Sequence, residues 1–304
     1  MVDPAAGAAV LLSSGRGARI LVAGATGMLG AAARARLAAR FAHADGTQRR
    51  DPSAPRYLRA GDEAALGAIL RAGRYDYVIN CVAVLAHPSL ETDDARRRAA
   101  AETNALFPLA LAEAAARHGA RVLHVSTDGV FSGRSSEPYD ETSPPDATDV
   151  YGKTKALGES RAANAISVRC SLIGADRANG RGLVEWFLGT PEGSSLTGFE
   201  DQRWNGVTTL QLADAFAETI ERDAFERLRG ISHVHHFCPN PTITKYDLLA
   251  ALDAASGGRR SVGRGRSGAG TAGRVLASRY GALNALVPEP VPWERLLAEL
   301  LSSR

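Results

Sequence analysis

Arg19-Ile20-Leu21-Val22-Ala23 runs straight into Gly24-Ala25-Thr26-Gly27-Met28-Leu29-Gly30, and an Ala- and Arg-rich stretch continues to about Arg40. The apolar run predicts a short buried strand, and the stretch after the glycines predicts a helix. The glycines form G-x-x-G-x-x-G between the two. Gly24 permits a tight turn, Gly27 lets a pyrophosphate approach the backbone, and Gly30 lets the helix pack on the strand. Free N–H groups at the helix start suit an anion. A Gly-rich turn of some other α/β protein is the competing reading. With strand and helix both in place, the stretch points to dinucleotide binding by Gly24, Thr26, Gly27, Met28, Leu29 and Gly30.

The same alternation continues downstream. A second strand is expected near Ala42 to Gln48, followed by Arg49-Arg50. Paired guanidiniums suit a 2′-phosphate and favour NADPH, while Asp45 or Asp51 could instead serve a ribose and leave NADH possible. A third short strand is expected before Gly61-Asp62, with Asp62 beside an adenine. Tyr75 to Ala83 reads as a fourth strand. Its small carboxyl-end residues Cys81, Val82 and Ala83 leave room for a cofactor. Asp93 to Ala101 reads as a solvated helix start, and Asn104, counted with the cofactor site, precedes an Ala-rich helix from Ala105 to Arg117. Arg121 to Val125 and Ala165 to Arg169 complete the pattern.

Strands alternating with helices predict a Rossmann-type doubly wound parallel sheet of the α/β class. After Gly174 the rhythm breaks. Short helices are expected at Gly182 to Leu188, Thr208 to Arg222, Thr244 to Ala254 and Pro292 to Ser302, with a last strand from Ile231 to Phe237. Gly257 to Gly270 reads as a flexible basic loop. The chain thus divides into a disordered tail (1–18), a cofactor-binding domain (19–174, with 206–238 returning to the sheet), and a smaller, discontinuous C-terminal substrate-binding lobe (175–205 and 239–304).

Composition narrows the classes. A net charge of +3 over 304 residues argues against a nucleic-acid or membrane surface. No apolar run approaches a membrane span. Three scattered cysteines, Cys81, Cys170 and Cys238, argue against a disulfide framework and for a reducing, cytoplasmic setting. His233, His235, His236 and Cys238 share one strand, but alternation turns His235 and His236 to opposite faces, so no metal site is expected. His87 and His124 read as structural.

Val150-Tyr151-Gly152-Lys153-Thr154-Lys155 supplies the chemistry. On a helix, positions four apart share a face, which places Lys155 beside Tyr151. A neighbouring ammonium is expected to lower the phenol's pKa and make it a proton donor near neutrality. Ser126-Thr127-Asp128 ends a buried strand, where hydroxyls hold a substrate oxygen or simply serve the turn.

Taken together, G-A-T-G-M-L-G (24–30), V-S-T-D-G-V-F-S-G (125–133), Y-G-K-T-K-A-L-G-E (151–159) and D-Q-R-W-N-G-V-T-T-L-Q-L-A (201–213) resemble the extended short-chain dehydrogenase/reductases. Within them the chain looks most like the dTDP-4-dehydrorhamnose reductase group. The resemblance implies reduction of the 4-keto group of a nucleotide-activated, dTDP-linked 6-deoxy sugar. It makes Thr127 the hydroxyl on the carbonyl, Tyr151 the proton donor, and Lys155 its partner, also touching the nicotinamide ribose. Asp128, Gly129, Val130, Trp204, Asn205 and Thr208 fall to the substrate, and an Arg from 259–274 would join Asn205 and Thr208 on the diphosphate. Gly129 stands where the group usually has Tyr, which widens the pocket.

Two rival readings share the fold. One is a nucleotide-sugar epimerase or dehydratase; Gly129 after Asp128 weighs against dehydration. The other is a non-catalytic regulatory homologue. A homodimer through helices 105–117 and 156–163 is expected by family analogy.

Overall fold

The computed structural model describes residues 15–176, 179–268, 273–287 and 290–303. Strands β1 (Arg19–Ala23), β2 (His43–Gly46), β3 (Tyr77–Asn80), β4 (Arg121–Val125), β5 (Ala165–Arg169) and β10 (Val234–His236) form one all-parallel sheet, in the order β10-β5-β4-β3-β1-β2. The chain steps from β1 to β2 on one side and to β3 on the other. That reversal opens a crevice at the strands' carboxyl ends, where α/β sheets bind ligands.

Helices cover both faces. Ile20, Val22, Ile79, Leu123 and Ile166 face helices α1 (Met28–Ala38), α7 (Thr209–Glu221) and α8 (Phe225–Ile231). Leu21, Val78 and Val122 face α2 (Glu63–Gly73) and α4 (Phe107–Arg117). The alternation follows from the two-residue strand period, and burial on both faces explains why these strands read as largely apolar runs. Each fully buried Leu, Ile or Phe here contributes roughly 1.5–3 kcal/mol.

Helix α3 (Asp94–Ala100) passes through one π turn (Ala101–Leu106) into α4, so Asn104 lies within a continuous helical rod rather than ahead of it. Helix α5 (Val150–Leu157) carries Tyr151 and Lys155. Asp149 caps it by accepting from Gly152 N at 2.7 Å.

A third apolar cluster gathers α6 (Leu183–Gly189), α9 (Lys245–Ala255) and α10 (Trp293–Ser302) around Phe187, Leu248, Leu252 and Leu297. Three short strand pairs tie this lobe together. They are β6 (Leu172–Ile173) with β9 (Val207–Thr208), β7 (Ser195–Phe199) with β12 (Ser261–Gly265), and β8 (Arg203–Trp204) with β11 (Ile243–Thr244).

Several expectations are corrected. No third strand forms before Gly61. Asp51 and Pro52 to Tyr57 turn instead, leaving a lone bridge between Gln48 and Tyr57. Pro52 and Pro55 cannot donate to a ladder, and Asp51 folds back onto Ser53. The stretch from Gly257 is not a free loop as far as Ser267: Ser261–Gly265 pairs in register with β7. Its arginines are held there, Arg259 by Glu192 at 2.6 Å, Arg260 by the Thr190 carbonyl at 2.8 Å, and Arg264 by Glu200. Residues 269 and 270 of that stretch lie outside the described residues, as do residues 1–14 of the expected tail. Gly15–Gly17 form a 3-10 turn and Ala18 is fully buried, so ordered chain begins before Arg19. Helix α5 ends at Leu157, short of the expected 163.

Candidate active site

The glycine turn fits a dinucleotide. Gly24 has φ +80°, the left-handed region. A Cβ on Gly30 would lie 2.1 Å from the Gly24 carbonyl oxygen, so the helix can close on the turn only with glycine there. At Gly27 a Cβ would meet nothing nearer than 3.6 Å. Gly27 is the N-cap of α1 and no side chain caps it. The first N–H groups of the helix therefore face open space beside Thr26, Met28 and Leu29, which suits a phosphate.

The β2 end is selective in its charges. Asp45 accepts from Tyr75 Oη at 2.7 Å and pairs with Arg56 at 3.2 Å, and Asp51 accepts from Ser53. Neither acid is free for a ribose. Arg50 donates to Asn179 Oδ1 at 2.8 Å, whereas nothing among the described residues ties the Arg49 side chain. Asp62 is spent as the N-cap of α2, accepting from Ala65 N. Asn104 is also committed: it clasps Val84 through N–H and carbonyl, each at 2.9 Å, and reaches Thr154 Oγ1 at 3.2 Å. It positions the segment after Cys81, Val82 and Ala83 against α5.

Thr127 caps a short 3-10 turn, Asp128–Val130. Its Oγ1 accepts from Gly129 N at 3.0 Å and donates to Asp128 at 3.1 Å, and it lies next to the Tyr151 ring at Gly129. Gly129 lies under the Tyr151 ring, where a Cβ would approach Cε1 to 3.0 Å. Helix α5 docks by backbone. A Cβ on Gly152 would lie 2.1 Å from the Gly129 oxygen, and one on Gly158 would lie 2.0 Å from the Asn104 oxygen.

The expected electrostatics of the pair are reversed. Burial pushes the Tyr151 phenol up, to about 12, with the Thr127 hydroxyl pulling the other way. Lys155 is 2% exposed; burial lowers it to about 8. Its Nζ donates to the Val125 carbonyl at 2.6 Å and sits 3.4 Å from His124 Nε2. Desolvation outweighs the attraction that spacing alone suggests. A phenol held high stays protonated through the neutral range, which suits an acid that gives its proton to a developing alkoxide.

Beside this cluster opens a cavity of about 510 Å³, lined by Met28, Asp128, Ser132, Leu172 to Gly174, Gln202, Arg203, Trp204, Lys245, Leu248 and Arg274. Burial raises the Asp128 carboxyl, with Thr127, Arg274 and Ser171 opposing. Trp204 donates to Ser171 Oγ at 2.9 Å and packs on Trp293. The other expected substrate residues are occupied elsewhere. Asn205 bridges the Leu276 N–H and carbonyl, Thr208 caps α7 through a capping box, and Val130 is enclosed with Phe131, Tyr139 and Leu276.

Arg203 and Lys245 were not legible as site residues. One signal was available for Lys245: it is one of only three lysines, and it occupies the first position of α9, where the helix dipole disfavours a cation. His233, His235 and His236 scatter, with His235 on the Leu228 carbonyl and His236 on that of Ala277.

Sheet order, glycine turn and the Thr127, Tyr151 and Lys155 cluster define a protein of the extended short-chain dehydrogenase/reductase type. The family model described as RmlD substrate binding domain matches residues 18–261, and the chain belongs to that family. It is 33% identical over 251 residues to a probable dTDP-4,6-dihydroxy-2-methyloxan-3-one 4-ketoreductase of Streptomyces antibioticus, covering 79% of each chain. It is 30% identical over 187 residues to a dTDP-4-dehydrorhamnose reductase of Escherichia coli, covering 60% of each. The fold matches a dTDP-4-dehydrorhamnose reductase structure from Clostridium acetobutylicum with a TM-score of 0.75 and 24% identity, over 94% of this chain and 99% of that one. A Bacillus anthracis dTDP-4-dehydrorhamnose reductase in complex with NADP matches with a TM-score of 0.74 and 19% identity, over 95% and 100%.

Proposed function

We propose that this chain is an NADPH-dependent reductase of the 4-keto group of a nucleotide-activated 6-deoxy sugar, most simply a dTDP-linked one. The observation that carries the reading is the cluster in which the Tyr151 ring and the Thr127 hydroxyl meet over Gly129, near the buried Lys155 and beside a cavity lined by the neighbouring Asp128. The relatives named as a probable 4-ketoreductase and as a dTDP-4-dehydrorhamnose reductase support it. Residues 19–174 and 206–238 would hold the cofactor, and 175–205 with 239–304 the sugar nucleotide. NADPH, when bound, supplies the hydride.

Thr127 fixes the ketone oxygen and Tyr151 gives it a proton as charge develops there. Arg49 is the side chain left to meet a 2′-phosphate, because both nearby acids are already paired. Arg203, Lys245 and Arg274 bring three cations to a cavity whose lining, among the described residues, holds a single carboxylate, Asp128. That balance suits a diphosphate. The test is a panel of 4-keto-6-deoxy dTDP, GDP and UDP sugars, each followed by NADPH and NADH oxidation. Steady oxidation with one nucleotide and a preference for NADPH is expected. No oxidation with any of them would overturn the reading.

The same reading includes a homodimer. Leu106 at the end of the π turn, Leu109 on α4 and Leu157 on α5 are exposed apolar side chains, and α5 packs on that turn. A second copy of the chain would cover them. No helix among the described residues is long and apolar enough to cross a membrane.

A further inference from the structure

Behind the active site, Asn80, His124 and Lys155 form a buried polar chain at 0%, 1% and 2% exposure. Asn80 and His124 are register partners on β3 and β4, and both project to the face that carries α4. The hydrogen positions in this chain follow from donor and acceptor counting. The Val82 N–H donates to Asn80 Oδ1 at 3.1 Å, which fixes the amide's orientation; the flipped amide would set two donors against each other. Asn80 Nδ2 then donates to His124 Nδ1 at 3.1 Å. A neutral imidazole that accepts at Nδ1 carries its proton on Nε2, and Nε2 lies 3.4 Å from Lys155 Nζ. Lys155 in turn donates to the Val125 carbonyl at 2.6 Å.

One arrangement satisfies every group: Nε2–H points at the lone pair of an uncharged Lys155 amine. An ammonium there would face a hydrogen it cannot accept. We propose that His124 is a positioning residue that makes Lys155 a group able to lose its proton at working pH, instead of a fixed cation. Such a residue does more than orient Tyr151. In its ammonium form it can give a proton to the phenolate left when Tyr151 protonates the alkoxide, which leaves the uncharged amine that the His124 Nε2–H faces, and it then takes up a proton again.

The other titratable groups near Lys155 are Glu159 at the end of its own helix, Tyr151 one turn earlier, and the thiols Cys81 and Cys170 beyond β3 and β5. Glu159 favours the ammonium but is already engaged by Arg169 and Ser126. Burial holds both thiols protonated, so they supply no counter-charge at neutral pH. Burial and the lysine charge together hold His124 well below its ordinary value, which keeps it neutral.

The proposal rests on the reading of Lys155 as the partner of Tyr151, but its test does not need activity. The chain has only three lysines, Lys153, Lys155 and Lys245. Protein enriched with 13C at lysine Cε therefore gives three resonances, assigned with K153R and K245R. The Lys155 signal is expected to titrate near pH 8, and 15N spectra are expected to show His124 protonated on Nε2. In H124F the lysine titration should move up by about one pH unit, as the facing N–H is removed. A Lys155 signal titrating above pH 10, an Nδ1–H tautomer, or a titration unmoved in folded H124F would each overturn the proposal. If H124F does not fold, the wild-type tautomer and titration decide alone.

Discussion

Replacing Glu159 with Ala should unfold the protein more readily than any surface change. Arg169 and Glu159 are joined by two hydrogen bonds of 2.7 Å, with side chains 5% and 6% exposed. Arg169 also lies over the Phe131 ring, 5.1 Å from its centre, and the Ser126 hydroxyl donates to Glu159 at 2.7 Å. Removing the carboxylate leaves a buried guanidinium unpaired, which costs ~3–5 kcal/mol. That is a large share of a total stability of roughly 5–15 kcal/mol. With a urea slope of roughly 3 kcal/mol/M for a chain of this size, the midpoint should fall by ~1–1.7 M. Urea titration followed by circular dichroism measures it. The double replacement Glu159→Leu with Arg169→Met removes both charges and should recover roughly half the loss or more. A single-variant loss under ~1 kcal/mol, or a double variant no better than the single, would refute the argument.

Gly30→Ala drives a Cβ to 2.1 Å from the Gly24 oxygen, so NADPH binding followed by fluorescence titration should be lost even where the protein stays folded. Arg49→Ala should weaken NADPH by ~10–100-fold, the worth of a charged hydrogen bond, with little effect on NADH; equal losses for both would count against a 2′-phosphate contact. Burial pushes Cys81 up to about 12 and Cys238 up to about 11, and raises Cys170 as well. These thiols are raised above their unfolded value, so their contribution to stability is present below about pH 9 and is lost as pH rises through the folded values. Iodoacetamide at pH 8 should therefore label the native protein slowly and the urea-unfolded protein at all three sites. In the proposed homodimer, Leu106→Glu with Leu157→Glu should shift sedimentation to monomer; an unchanged coefficient would count against that dimer.

The sheet was readable because its central strands are buried on both faces and spell largely apolar runs, as in Ile20 to Ala23. Strand β12 was not, because Ser-Val-Gly-Arg-Gly has the composition of a loop and pairs only through a partner far along the chain, β7. The site was half legible. Spacing put Lys155 beside Tyr151 and the family resemblance added Thr127, but the ionisation of the pair could not be read that way. Burial, which sets its direction at Tyr151 and Lys155, belongs to the folded molecule and not to an interval of four residues. Asn205, Thr208 and Asp62 show the same limit. Each is a polar residue beside a motif, and only the fold reveals that it is bonded to its own surroundings, Asn205 to Leu276, Thr208 to Gln211 and Asp62 to Ala65.

The separate motifs are parts of one contact. Helix α5 is pinned near both ends by glycines that admit backbone from other segments: Gly152 against the Gly129 carbonyl, and Gly158 against that of Asn104. Tyr151 and Lys155 lie on and between those pins. The first pin belongs to the turn that holds Thr127, and the second to the π turn, where Asn104 also clasps the segment after β3. Glu159, one residue beyond Gly158, then locks Arg169 and Ser126 on the neighbouring strands. Gly152, Thr154, Lys155, Gly158 and Glu159 of Y-G-K-T-K-A-L-G-E thus each answer to a residue in another strand or turn. A helix held this way leaves its phenol little freedom to shift. Small side chains at Gly152 or Gly158 would displace the chemistry before they disturbed the sheet.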